Sequence, residues 1–217
     1  MIEQLSLVDL AGSEVKKLIA NGTIGPGERI LEQSLSEQLG ISRPPLREAL
    51  RILAAQHILE QSPRRGYRVS VLSDDDAAEI YSLRTVLEDF ALRLLFARLE
   101  DVDFTPVQRT VDAMWAAAAI DDAEAVVQAN VAFHLALVEL AGHRRLVQQY
   151  ATLMEQMQLH MARNLTTEAA TSGSLREGCR RHEQLLEALQ TRDPEAIRAA
   201  MDAHGERRFL SESEARG

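Results

Sequence analysis

The sequence predicts a mainly α-helical protein in two parts: three helices with a two-stranded hairpin, then a larger bundle made only of helices. Three observations predict it. Apolar residues recur at helical spacing along nearly all of the 217 residues. The exception is ILEQSPRRGYRVSVL at 58–72, where Tyr67, Val69 and Val71 alternate with Arg68 and Ser70 beyond a turn at Pro63–Gly66. Immediately afterwards Ser73 and three aspartates offer an N-cap and an acidic first turn, which starts a second helical run. The boundary therefore divides 1–72 from 73–217.

Each element has its own warrant. Leu10, Val15, Leu18 and Ile19 give a helical stripe over about 6–21, stopped by Gly22. GTIGPGERI then reads as a turn-rich connector. Leu31, Leu35 and Leu39 mark a short helix over 32–39, with Gly40 where a left-handed residue is wanted. Ser42 is the N-cap expected for a third helix, about 43–57. Pro44 and Pro45 fall in its first turn, where a missing N–H removes no intrahelical bond. Arg43, Arg47 and Arg51 share one face of this helix, and Leu46, Leu50 and Leu53 another. Three helices and a hairpin in this order make a winged helix-turn-helix, with the third helix as reader. Beyond it, helices are expected at about 74–99, 106–119, 122–141, 143–167, 174–191 and 194–213. Gly142 and Gly178 are the main interruptions, and Asp193–Pro194 is an N-cap followed by proline at N1.

Composition narrows the function. The longest unbroken apolar run, AMWAAAAI at 113–120, is too short to span a bilayer. The start MIEQLSLVDL has an early acid and no basic stretch, so a signal peptide is not expected. One cysteine, Cys179, suits a reducing compartment, and no acid or histidine is paired with it as for a nucleophile. A cytoplasmic protein is expected. The net charge of −9 speaks against nucleic acid, but its distribution reverses that. Residues 1–72 carry a net +1 and residues 73–217 a net −10, while 41–70 alone hold six arginines against two glutamates. A phosphate backbone senses the local stripe, since screening limits reach to about 8–10 Å.

The stretch PGERILEQSLSEQLGISRPPLREALRILAAQHILEQSPRRGYRV resembles the winged-helix domain of GntR-type bacterial transcription regulators. YSLRTVLE at 81–88, NVAFHLALVELAGHRRL at 130–146, RRHEQLLEAL at 180–189 and AMDAH at 200–204 resemble the FCD ligand-binding domain of the FadR subfamily. Six C-terminal helices suggest its shorter, VanR-like branch. The resemblance implies a metabolite-responsive regulator, most often a repressor, that binds double-stranded operator DNA as a homodimer and is released by a small organic acid. It implies DNA contact by Arg43 and Arg47, with Ser42 at a phosphate-contacting position and Gly66 entering the minor groove. An arginine fork does match guanine O6 and N7. Many members carry an arginine where this chain has Gln33, which could bond a phosphate without adding charge.

His134, His182 and His204 fall on three different helices, with Asn130 one turn before His134. On spacing alone, dispersed histidines are packing or surface residues. The resemblance implies a divalent metal, zinc or nickel, held by three histidines and an acid at these motif positions. Asn130 replaces that acid, and a neutral amide oxygen is a weaker donor to a dication. His57, His143 and His160 match no motif and read as structural or surface residues. Arg84 is the expected effector anchor, with an ion pair to Glu88 at i+4 as the competing reading. Arg163 is a second anchor for the same pocket. A metal-dependent enzyme using His134, His182 and His204 is the alternative function. It lacks an acid beside the cluster in the HExxH manner and any cofactor loop.

Overall fold

The computed structural model describes residues 6–62, 66–168 and 175–204, with their side chains except those of Asp74 and residues 159–168. The chain divides into two compact units, Met1–Leu72 and Ser73–Gly217. In the first, α1 (Leu7–Ala20), α2 (Glu32–Leu39) and α3 (Arg43–Ala55) precede an antiparallel hairpin of β1 (Leu59–Ser62) and β2 (Gly66–Val69). Its register sets Leu59 opposite Val69 and Ser62 opposite Gly66. A capping box starts α1: Ser6 Oγ accepts from the Asp9 N–H, and the Asp9 carboxylate accepts from the Ser6 N–H. The apolar face of α1, with Val15 and Ile19, and that of α3, with Leu46, Leu50 and Leu53, are buried together with Ile58, Leu59 and Val69. Each such side chain contributes about 1.5–3 kcal/mol when fully buried. Gly40 closes α2 with φ 65°, the left-handed conformation expected of it.

The connector before α2 does more than turn. The Gly27 N–H donates to the Val69 carbonyl at 2.9 Å, the Val69 N–H to Glu28 at 2.9 Å, and the Ile30 N–H to Tyr67 at 2.8 Å. Arg29 and Arg68 form an antiparallel bridge. Residues 27–30 thus lie alongside β2 and tie the hairpin to the start of α2.

The second unit runs α4 (Asp74–Phe96), a 3-10 turn at Leu99–Asp101, α5 (Thr105–Ala119), α6 (Ala123–Glu139), α7 (Arg144–Glu168), α8 (Leu175–Gln190) and α9 (Pro194–Ala203). Ser73 and Asp76 form a second capping box. Asp122 and Asp193 cap α6 and α9 through their carboxylates. Gly142, at φ 66°, lies between α6 and α7. Gly178 does not interrupt a helix as expected from sequence: it lies inside the first turn of α8, where orphan N–H groups make glycine cheap. The helix expected to reach residue 213 is described to Ala203, and the rest lies outside the described residues. Leu95, Val107, Val111, Met114, Phe133, Leu137, Leu189 and Ile197 form the core of this unit. No described helix is long and apolar enough to cross a membrane.

Candidate nucleic-acid interface and buried histidine site

Ser42 stands at the N-cap of α3 with extended backbone, φ −72° and ψ 157°, yet its side chain makes no capping bond. The reason is local. An N-cap hydroxyl accepts from the N–H of the second or third helical residue. Those residues are Pro44 and Pro45, which have none. The double proline fixes where α3 begins and leaves the hydroxyl uncommitted, which corrects the expectation that Ser42 caps by its side chain.

Along the exposed face of α3 the arginines differ. Arg47 Nε donates to Glu32 Oε2 at 2.6 Å across from α2. Arg51 is held bidentately, Nε to Glu48 Oε2 at 3.0 Å and Nη2 to Glu48 Oε1 at 2.6 Å. Arg51 is thus engaged within its own helix. Gln33 is exposed and donates to Glu37 Oε1 at 3.2 Å. Gly66 opens β2 at φ 79°, a conformation that favours glycine. Gln33, Arg47 and Gly66 line one groove of about 740 Å³ together with Glu32, Pro44 and Tyr67. Ser42 and the exposed Arg43 stand at the N-terminal end of α3, outside this lining.

In the second unit His134, His182 and His204 are all buried, and one ring nitrogen from each lies within 4.8 Å of the others. They come from α6, α8 and the C-cap of α9. Phe133 walls the cluster, with ring centroids 5.2 Å from His134 and 4.8 Å from His182. Burial pushes His182 well below the usual imidazole range, and the neighbouring His204 and His134 push it further, so it is neutral. Its Nδ1–H donates to the Gly178 carbonyl at 2.8 Å, which leaves the lone pair on Nε2. His134 Nε2 is 3.3 Å away and donates into that lone pair. His134 Nδ1 then accepts from Arg84 Nη2 at 2.6 Å. Asn130, one turn before His134, has its Oδ1 buried with no hydrogen-bond partner.

Arg84 is 1% exposed and pairs with Glu88, Nε to Oε1 at 2.9 Å. This is the ion pair that the i+4 spacing offered as the competing reading. The Tyr150 hydroxyl donates to the same Glu88 oxygen at 2.5 Å, and His134 Nδ1 is 3.1 Å from it. Burial works to raise the Glu88 carboxyl, but Arg84, and after it the Tyr150 hydroxyl, hold it well below the usual carboxylate range. Arg84, Glu88, Tyr150 and His134 therefore form one buried charged network. The Arg163 side chain lies outside the described residues, as does that of His160. His143 immediately precedes α7, its Nδ1 accepting from the Leu146 N–H at 3.1 Å. Cys179 is buried, and burial pushes its thiol up. Glu32 and Tyr150 were not singled out from sequence; each meets its partner across a long stretch of chain and carries no local signal.

Comparison with known proteins supplies the family. Residues 79–207 match the FCD domain, and residues 8–69 match the bacterial regulatory proteins of the gntR family. The chain belongs to the GntR family of bacterial regulatory proteins. It is 31% identical to the uncharacterized HTH-type transcriptional regulator YdhC of Bacillus subtilis, covering 88% of this chain and 84% of that one. It is 30% identical to the Probable D-xylose utilization operon transcriptional repressor of Paenarthrobacter nicotinovorans, over 86% of this chain and 80% of the relative. The solved structure of E. coli McbR/YncC superimposes with a TM-score of 0.81 at 25% identity, covering 99% of this chain and all of that one. This GntR-family protein is a DNA-binding transcription regulator. Its relatives are named as regulators, so the alternative of a metal-dependent enzyme using His134, His182 and His204 is dropped.

Proposed function

We propose that this GntR-family protein is a repressor that holds a two-fold operator as a homodimer and leaves it when a small organic acid enters the C-terminal unit. The observation that carries the DNA half is the exposed Arg47 beside Gly66 in one groove, on a unit of net +1 in a chain of net −9. In this reading Arg43 and Arg47 read base edges, Ser42 and Gln33 bond phosphates, and Gly66 lets the hairpin backbone approach the minor groove. The dimer is supported by α4, which leaves Leu83, Val86 and Phe90 exposed at 50%, 63% and 41%. Their i, i+3, i+7 spacing is the seam of a helix pair, and a two-fold operator needs a two-fold protein. A cytoplasmic location follows from DNA as the partner.

His134, His182, His204 and Asn130 fit a divalent cation, zinc or nickel: three converging imidazoles, one held neutral, and a buried carbonyl oxygen without a partner. A cation held by His134 Nε2 would put that ring's proton on Nδ1, which faces Glu88 Oε1 at 3.1 Å, and Arg84 Nη2 would have to give up its bond to Nδ1. A ligand carboxylate anchored by Arg84, with Arg163 as second anchor, would compete with Glu88 for the guanidinium. Because Tyr150 of α7 bonds Glu88 of α4, that exchange alters the packing of these two helices.

Gel shifts with DNA from around the protein's own gene test the reading. A sequence-preferred complex that one organic acid dissolves is expected. No preference over random DNA would overturn it. His182→Ala should lose metal, by elemental analysis, and the acid response together while still shifting DNA. Asn130→Asp should tighten metal binding by adding a negative charge beside the dication. A normal acid response in His182→Ala would return the histidines to a packing role.

A further inference from the structure

The groove that faces the reading helix contains an acid, and a carboxylate there works against a polyanion. Glu32 is in the first turn of α2, where the helix dipole favours an acid. Its side chain is 18% exposed, whereas that of Arg47 is 70% exposed. One oxygen, Oε2, takes Arg47 Nε at 2.6 Å. The other, Oε1, lies 3.9 Å from where a Cβ on Gly66 would stand. Glu32 is therefore wedged between the reading helix and the hairpin tip.

We infer that Glu32 is a positioning residue for Arg47: it fixes the guanidinium so that the base-reading edge points out of the groove. The guanidinium is a rigid planar fork of five N–H groups. A bond at Nε fixes the plane and leaves both Nη groups, which are the pair that matches guanine O6 and N7. Among the described residues Arg47 makes no other hydrogen bond or ion pair, and its exposure leaves that edge to solvent. Arg51, one turn further along the same face, shows the contrast. Glu48 takes both its Nε and its Nη2, so its fork is already spent. Orientation by Glu32 lowers the side-chain freedom that Arg47 loses on binding, and does so only for a base in the correct place. Its negative charge also weakens attraction to DNA of any sequence. Orientation raises discrimination, whereas the charge lowers affinity for every sequence alike and leaves the ratio unchanged.

The inference rests on the assignment of Arg47 as a DNA reader, and the experiment separates the two. Full-length protein selects a duplex from a random library. Its affinity for that duplex and for random DNA is then measured for wild type, Glu32→Gln and Glu32→Ala, with thermal unfolding as a check on folding. Glutamine removes the charge but keeps an oxygen for Nε; alanine removes both. Both variants should bind random DNA more tightly than wild type. Glu32→Ala should lose about tenfold in the ratio of selected to random affinity, the scale of one oriented base contact. Glu32→Gln should keep most of that ratio. Equal gains on both DNAs with an unchanged ratio in Glu32→Ala would make Glu32 only a charge brake and overturn the inference. A lost ratio in both variants would overturn it too, since orientation would not be what matters. If wild type enriches no duplex, the reading of Arg47 as a DNA contact fails, and this inference with it.

Discussion

The protein contains two arginine–glutamate pairs of the same chemistry in opposite surroundings. Arg47 and Glu32 meet at 2.6 Å with side chains 70% and 18% exposed, and Arg84 and Glu88 at 2.9 Å with side chains 2% and 7% exposed. Water screens the first pair, so it contributes little to stability and its arginine can exchange one anion for another at small cost. The second pair has no water to fall back on. Its members also hold Tyr150 and His134, so removing one partner leaves a buried charge without compensation. Distance alone does not distinguish the two; burial decides which pair is exchangeable and which is structural.

The largest effect expected from this contrast is on Arg84. Arg84→Met should cost about 3–5 kcal/mol of stability in urea unfolding. Glu32→Gln should cost less than about 1 kcal/mol in the same measurement. Similar losses in the two would break the comparison. Next comes acid sensitivity, which belongs to the buried side. The folded His182 titrates below its unfolded value, so the unfolded chain takes up a proton first as pH falls. The stability from keeping it neutral is complete above about pH 6.5 and drains below it, by at most about 1.4 kcal/mol per pH unit. Urea midpoints of metal-free protein between pH 7 and 5 should fall more steeply for wild type than for His182→Gln. The smallest effects concern two serines. Ser73→Ala should cost about 1 kcal/mol, because it removes a working capping box. Ser42→Ala should leave the thermal midpoint unchanged and weaken DNA binding; a stability loss equal to that of Ser73→Ala would show that the hydroxyl does cap.

Much of the fold was legible because its determinants are local. Ser73 with the aspartates after it, and Gly40 after a leucine-spaced run, each announce a helix end within four residues. The i+4 spacing of Arg84 and Glu88 likewise offered their pairing in advance. What stayed hidden depends on chain segments far apart. The rung between residues 27–30 and β2 lies under a glycine-rich stretch that reads as a loop. Tyr150 reaches Glu88 across 62 positions, and Glu32 reaches Arg47 across 15. Ser42 is a different case. The absence of its cap was readable, since two prolines at the second and third helical positions supply no N–H; residue preference at the cap obscured the donor count.

Ser42 has a consequence for how such a protein can change over time. Most residues at a helix start are constrained twice, by folding and by whatever the helix does. Here the tandem prolines take over the folding duty. Under the proposed phosphate contact, substitutions at position 42 adjust the grip on DNA in small steps, without drawing down the stability reserve that usually limits which mutations a lineage tolerates.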